Sequence, residues 1–261
     1  MNQYHPRSTY ILDWVRVVVY YVYVALATLV VGLWGLPRTL INPANANRTA
    51  SAWLRQMMGA ARIILGVRIE YRGTPPAGDM LIAAKHQSFL DILAIAQACP
   101  RRAFVMKREV MNVPIMGWFA RKVGSIPIDR ARGKEAMRQI IAEVETARAR
   151  PEGLGQLIFY PEGTRTLPGT AVPYKHGVTI VQRATGLPIV PVAVNCGMFW
   201  PKRGYPIRRG TAIIEFLPPI PAGAKAEAVL AQLTDVIEPA SLRLYAEAGG
   251  LPPVPETVIP R

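Results

Sequence analysis

Between residues 17 and 36 the chain reads VVVYYVYVALATLVVGLWGL without a charged side chain. As a helix, this run is long enough to reach across the hydrocarbon core of a bilayer, and Tyr20, Tyr21, Tyr23 and Trp34 have the character of interfacial anchors. A cleaved signal peptide is the competing reading, with small residues at 44–46 (Ala-Asn-Ala), but the run exceeds the roughly 7–15 residues of a signal h-region. A helical period follows: Trp53, Leu54, Met57, Met58, Ala61, Ile64 and Leu65 share one face, while Arg55 and Arg62 take the other. Such a helix either packs on a core or lies among lipid headgroups, and its arginines favour the headgroups.

After residue 66 the pattern shortens. VRIEYRG at 67–73 alternates as a half-buried strand does, and DMLIAAKH at 79–86 is continuously apolar, as a fully buried strand would be. RAFVMK, GSIPID, QLIFYP, PIVPVAVN and AIIEFLPPI are further strand candidates. Helical stretches are expected at 111–122, 134–150, 176–185 and about 224–246, with another opening at Ser88. The alternation predicts an α/β fold, a sheet covered by helices, behind an N-terminal two-helix membrane-binding segment. The expected divisions are 1–66 for the membrane helices, 67–248 for the main domain and 249–261 for a Pro-rich tail that is extended or disordered.

Composition supports a lipid-facing protein, with 51% hydrophobic residues and a mean hydropathy of +0.18. A formal net charge of +14 calls for an anionic partner, either a membrane surface or nucleic acid. Arg38, Arg48, Arg55, Arg62, Arg68 and Arg72 follow the apolar run whereas only Arg7 and Arg16 precede it, so if the run spans, the main domain is expected on the cytoplasmic side, and if the two helices form a hairpin that only dips into one leaflet, the domain still sits at that face. Cys99 and Cys196 form neither a disulfide framework nor a metal-binding spacing. The sequence lacks a Walker A motif, a GxGxxG fingerprint and a GxSxG elbow, so no resident nucleotide cofactor and no serine nucleophile are expected.

The chemistry concentrates where strands end. In KHQSFLD, Ser88 and Asp91 have the spacing of a helix N-cap and its first-turn carboxylate, but that pattern does not explain His86, which leaves the strand two residues earlier. A carboxylate reaching back to one ring nitrogen would fix the tautomer of His86 and leave the other nitrogen as a general base. Without a nucleophile of its own, such a pair suits activation of a hydroxyl on a substrate. YPEGTR (160–165) follows another strand; Gly163 permits close backbone approach, and Thr164 and Arg165 supply donors for a phosphate. Glu162 would repel that phosphate, and is expected to brace the loop or to bind an acceptor hydroxyl. SIPIDR brings a second arginine, Arg130, suited to bidentate phosphate recognition.

His86-x4-Asp91, IPIDR, YPEGTR and IVPVAVN, in this order, closely resemble the four motif blocks of the 1-acyl-sn-glycerol-3-phosphate acyltransferase family, over about residues 67–217. The resemblance implies a mixed-sheet glycerolipid acyltransferase fold and transfer of an acyl group from acyl-CoA or acyl-carrier protein to a lysophospholipid, usually lysophosphatidic acid. His86 would be the base and Asp91 its holder; Arg130, Glu162, Gly163, Thr164 and Arg165 would bind the glycerol phosphate, with Lys107 and Lys175 as further phosphate contacts. Residues 190–192 would line the acyl or acceptor site. Membrane lipids, the lysophospholipid and the acyl donor are the implied partners, with no nucleic acid, metal or cofactor. Two positions depart from the family: Lys85, often asparagine, whose charge would lower the His86 pKa if directed at the ring, and Tyr160, commonly phenylalanine. The alternatives are another acceptor (a lyso-ornithine lipid, glycerol 3-phosphate or another lysophospholipid) and a non-catalytic basic membrane-binding protein.

Overall fold

In the computed structural model, which describes residues 7–129, 132–202 and 207–250, the long apolar run is part of a single helix, α1 (Arg7–Ile41). The chain reverses over residues 42–44 into α2 (Asn45–Ala60), which widens into one π turn at Ala61–Leu65 and stops at Gly66, where φ is +70°. A left-handed residue ends a helix at least cost when it is glycine. The two helices meet at Gly35, where a Cβ would lie 2.2 Å from Thr49 Cγ2, so no larger residue fits that crossing.

One face of α1 joins the core of the molecule. Tyr20 is only 1% exposed and stands edge-on to Trp200 at 5.4 Å between ring centroids. It is therefore a core residue and not the interfacial anchor expected, because burying so large a ring outweighs its amphipathic tip. The opposite face, with Leu12, Val18, Val22, Leu26, Val30 and Leu33, is exposed along its length.

The seven strands among the described residues are β1 (Val67–Arg72), β2 (Met80–Ala84), β3 (Arg102–Lys107), β4 (Ile126–Ile128), β5 (Gln156–Phe159), β6 (Ile189–Val194) and β7 (Gly210–Phe216). Their order is β1-β7-β6-β2-β5-β3-β4, and every pairing is parallel except β6 with β7. The expected mixed sheet is thus present. Strands β5 and β6 are buried at every position, which explains their unbroken apolar sequences. Alternate side chains feed two cores: Ile82, Ala84, Ile158 and Val192 pack with α1, α2 and α3 (Phe89–Ala98), while Leu81, Ala83, Leu157 and Phe159 pack with α5 (Gly133–Arg148), α6 (Gly177–Thr185) and α7 (Ala226–Glu247).

The helix expected at 111–122 is divided. A 3₁₀ turn at Arg108–Asn112 precedes α4 (Met116–Lys122), and between them Ile115 takes φ +62° and ψ −60°. Pro114 accounts for the break: it biases Val113 to an extended conformation, and its carbonyl accepts the Met116 N–H at 2.6 Å in a three-residue turn. The last strand ends at Phe216, before Pro218 and Pro219, with Ile220 making a separate bridge to Ile189. Of the expected tail, only residues 249 and 250 are described.

Candidate active site

Strands β2 and β5 are parallel neighbours with Ala83 opposite Phe159, so residues 85–87 and 160–162 leave the sheet side by side at its C-terminal edge. This is the edge where open α/β sheets gather their ligands. Ser88 caps α3, its hydroxyl accepting the Leu90 N–H at 3.0 Å, and Asp91 completes a capping box. One Asp91 oxygen accepts the backbone N–H groups of Gln87 (2.8 Å) and Ser88 (2.6 Å), and the other lies 2.9 Å from His86 Nδ1. Local capping and the His–Asp contact are therefore one arrangement. Since the fully buried Asp91 accepts at Nδ1–H, Nε2 is the nitrogen left to exchange a proton with a substrate.

The YPEGTR loop closes on the same histidine. Tyr160 stacks on the His86 ring at 4.0 Å and 27°; burial pushes its hydroxyl pKa well above the usual value, and the neighbouring Asp91 charge pushes the same way. Glu162 Oε2 accepts the His86 N–H at 2.7 Å, Glu162 Oε1 accepts the Thr166 hydroxyl at 2.9 Å, and the Thr166 N–H donates to the His86 carbonyl at 2.8 Å. Of the two uses expected for Glu162, the geometry displays the brace: its side chain is fully buried and both oxygens are engaged. Lys85 does not rest its charge on the imidazole, because its ammonium is taken up by Glu162 and Glu238, each at 2.8 Å.

Arg165 is half-buried and, with His86 and Tyr160, lines one end of a cavity of about 550 Å³. Gly163 sits at φ +69°, and a Cβ there would come within 2.9 Å of Lys175 Nζ, so this glycine lets Lys175 lie across the loop. Thr164 is exposed. Lys107 also reaches the cavity, is exposed and pairs with Glu109 at 3.0 Å. Arg130 lies outside the described residues. Val190 and Val192 are core residues of β6 and do not belong to the cavity wall, contrary to the lining role expected of them. Among the described residues no group of three or more His, Cys, Asp or Glu side chains could hold a metal ion.

Sequence reasoning did not find the rest of the cavity. Its walls come from Val31 and Gly32 of α1, Trp53 of α2, Ile92 of α3, and Ile115 and Phe119 around α4. Trp53 Nε1–H donates to Thr28 Oγ1 at 2.8 Å, joining α1 to α2 along this wall. The available signal was the pair Gly32 and Gly35, the two glycines of this long apolar helix, which allow close packing.

The family described as Acyltransferase matches residues 67–195. A 1-acyl-sn-glycerol-3-phosphate acyltransferase of Pseudomonas aeruginosa is 29% identical to this chain over 231 residues, 86% of this chain and 88% of that one. A 1-acyl-sn-glycerol-3-phosphate acyltransferase alpha of Bos taurus is 30% identical over 200 residues, 74% of this chain and 68% of its own. The crystal structure of the 1-acyl-sn-glycerophosphate (LPA) acyltransferase PlsC from Thermotoga maritima shares the fold, with a TM-score of 0.76 at 20% identity, covering 90% of this chain and 97% of that one.

Proposed function

The chain belongs to the acyltransferase family, and from that premise we propose that it acylates the sn-2 hydroxyl of lysophosphatidic acid, giving phosphatidic acid, with acyl-CoA or acyl-carrier protein as donor. The observation that carries this reading is His86: its Nδ1 is held by a buried carboxylate, and its ring lines an apolar cavity beside Arg165. His86 Nε2 takes the proton of the acceptor hydroxyl as that oxygen attacks the thioester carbonyl. The tetrahedral intermediate then collapses, the C–S bond breaks, and the proton passes from His86 to the leaving thiolate. Asp91 keeps the ring in the required tautomer and stabilises the transient imidazolium. Arg165, with Lys107 and Lys175 nearby, binds the acceptor phosphate, and Arg130 is assigned the same task from its motif. The scheme uses no metal and no resident cofactor.

The cavity suits the acyl chain. Arg102, also on its wall, is in register with Gln156 and Met80, six residues before His86, so the two ends of the wall are about 20 Å apart at ~3.3 Å per strand residue. An extended hydrocarbon advances roughly 1.25 Å per tetrahedral C–C bond, which makes this the span of about sixteen carbons.

The same reading gives the helical hairpin a use. α1 is fastened along the body, with Arg16 Nε donating to Ile64 O at 2.8 Å near one end and Gly35 against Thr49 towards the other. Its outward apolar face therefore immerses in one leaflet, where lysolipid and acyl chains partition, and we assign that leaflet to the cytoplasmic side. The deciding assay offers detergent-solubilised protein lysophosphatidic acid with either donor, comparing wild type with His86→Ala. Phosphatidic acid formed by wild type and reduced at least ~100-fold in the variant supports both reaction and base. Equal product from the two removes the His86 mechanism; no product from folded wild type removes the acceptor, and a panel of other lysolipids then decides among acceptors.

A further inference from the structure

We propose that Lys85 is a positioning residue for His86, acting through Glu162; the inference rests on His86 being the base. Lys85 is 1% exposed; its ammonium donates to Glu238 at 2.8 and 2.9 Å and to the Thr170 carbonyl at 2.8 Å, and it forms an ion pair with Glu162 at 2.8 Å. A cation so enclosed has no surface to offer a substrate. Its consequence lies one bond away, because Glu162 holds the His86 N–H with its other oxygen, while Thr166, bound to the same carboxylate, donates to the His86 carbonyl. Both backbone groups of His86 thus depend on a carboxylate whose only ion-pair partner among the described residues is Lys85.

Removing Lys85 would leave Glu162 buried without a counter-charge. It would then take up a proton or rotate towards water, and either response weakens its acceptor bond to the His86 N–H. The ring would still be tied to Asp91, so His86 would be displaced and not released. A displacement of this kind slows the chemical step and leaves substrate binding in place. The ammonium also joins this strand end to α7, since Glu238 comes from that helix and accepts the Tyr174 hydroxyl at 2.6 Å.

The test compares full-length, detergent-solubilised wild type, Lys85→Met and the double variant Lys85→Met/Glu162→Gln. Glutamine keeps a carbonyl oxygen for the His86 N–H and has no charge to strand. For Lys85→Met, kcat with lysophosphatidic acid and acyl-CoA should fall about 10- to 100-fold with both KM values held, and the peptide containing the His86 amide should exchange hydrogen faster. The second substitution should restore both readouts. Lys85→Met working at the wild-type rate overturns the proposal, and so does a loss that the double variant fails to recover. If Lys85→Met does not fold, Lys85→Gln replaces it, with the same expectations. A wild type inactive on lysophosphatidic acid counts against that acceptor alone, and the exchange comparison still decides the role of Lys85.

Discussion

Lys85 and Arg102 are both buried cations, 1% and 4% exposed, near opposite edges of the same sheet. Their surroundings differ in kind. Lys85 is enclosed by two carboxylates and a carbonyl, whereas Arg102 donates to Ser51 Oγ at 2.6 Å and the Pro100 carbonyl at 3.1 Å, and its Nε and Nη1 find no hydrogen-bond partner among the described residues. Burial lowers the Arg102 pKa, and nearby Arg55 adds to the effect against the opposing influence of Cys99. A buried charge without a counter-charge costs stability, while a paired one can be held in a single geometry. The edge with the paired cation is where His86, Asp91 and Glu162 hold one another in place. At the other edge the wall around Arg102 has only to be apolar and roomy.

If that contrast is right, substitutions at the first edge act on chemistry and those at the second on stability. The largest effect belongs to Asp91→Asn. With its amide oxygen kept on the Gln87 and Ser88 N–H groups, its NH₂ faces Nδ1 and forces the proton onto Nε2, the nitrogen that must be free. We expect kcat to fall about 10²- to 10⁴-fold while the fold, followed by circular dichroism, persists. A nearly active Asp91→Asn would break the comparison at its strongest point.

Arg102→Met should do the reverse. It removes an under-paired charge and fills the site with a flexible apolar side chain, so we expect unchanged or improved stability, by up to about 1–3 kcal/mol, with turnover retained. Thermal unfolding in detergent measures this, and a marked loss of stability would show that the Ser51 and Pro100 contacts outweigh the cost of burial.

The smallest effect is expected at the cysteines. Burial pushes the Cys99 thiol up to about 12 and raises Cys196 well above the ordinary range, reinforced there by Asp91. Neither should react with an alkylating reagent at pH 8 until the protein is unfolded, which mass spectrometry would read. Between pH 9 and about 12 the unfolded chain can ionise Cys99 while the folded one resists, so this group makes native stability fall as pH rises through that window.

Much of this arrangement could be read along the chain, because its causes are local. Period-2 and unbroken apolar segments marked the strands; Ser88 followed by Asp91 marked the start of α3; and the order of the four motif blocks pointed to the family. Pro114 breaks the helix expected at 111–122 from within the sequence, whereas the seat that Ile115 finds against Gly32 of α1 is a tertiary contact. The sequence could propose Glu162 as either brace or ligand, and Lys85 as a charge of unknown direction. Tertiary structure decided both by making β5 the neighbour of β2, which set Glu162 against the His86 N–H, and by bringing α7 near enough for Glu238 to share Lys85. It likewise turned Tyr20 into the core and built a cavity whose walls join α1, α2, α3 and α4 to β3. Caps and periodicities are properties of a few consecutive residues, and so the sequence by itself determines them. Which strand lies beside which, and which carboxylate meets a buried cation, is decided only when the chain packs, because a charge buried without a partner costs stability and only the fold brings a distant partner within reach.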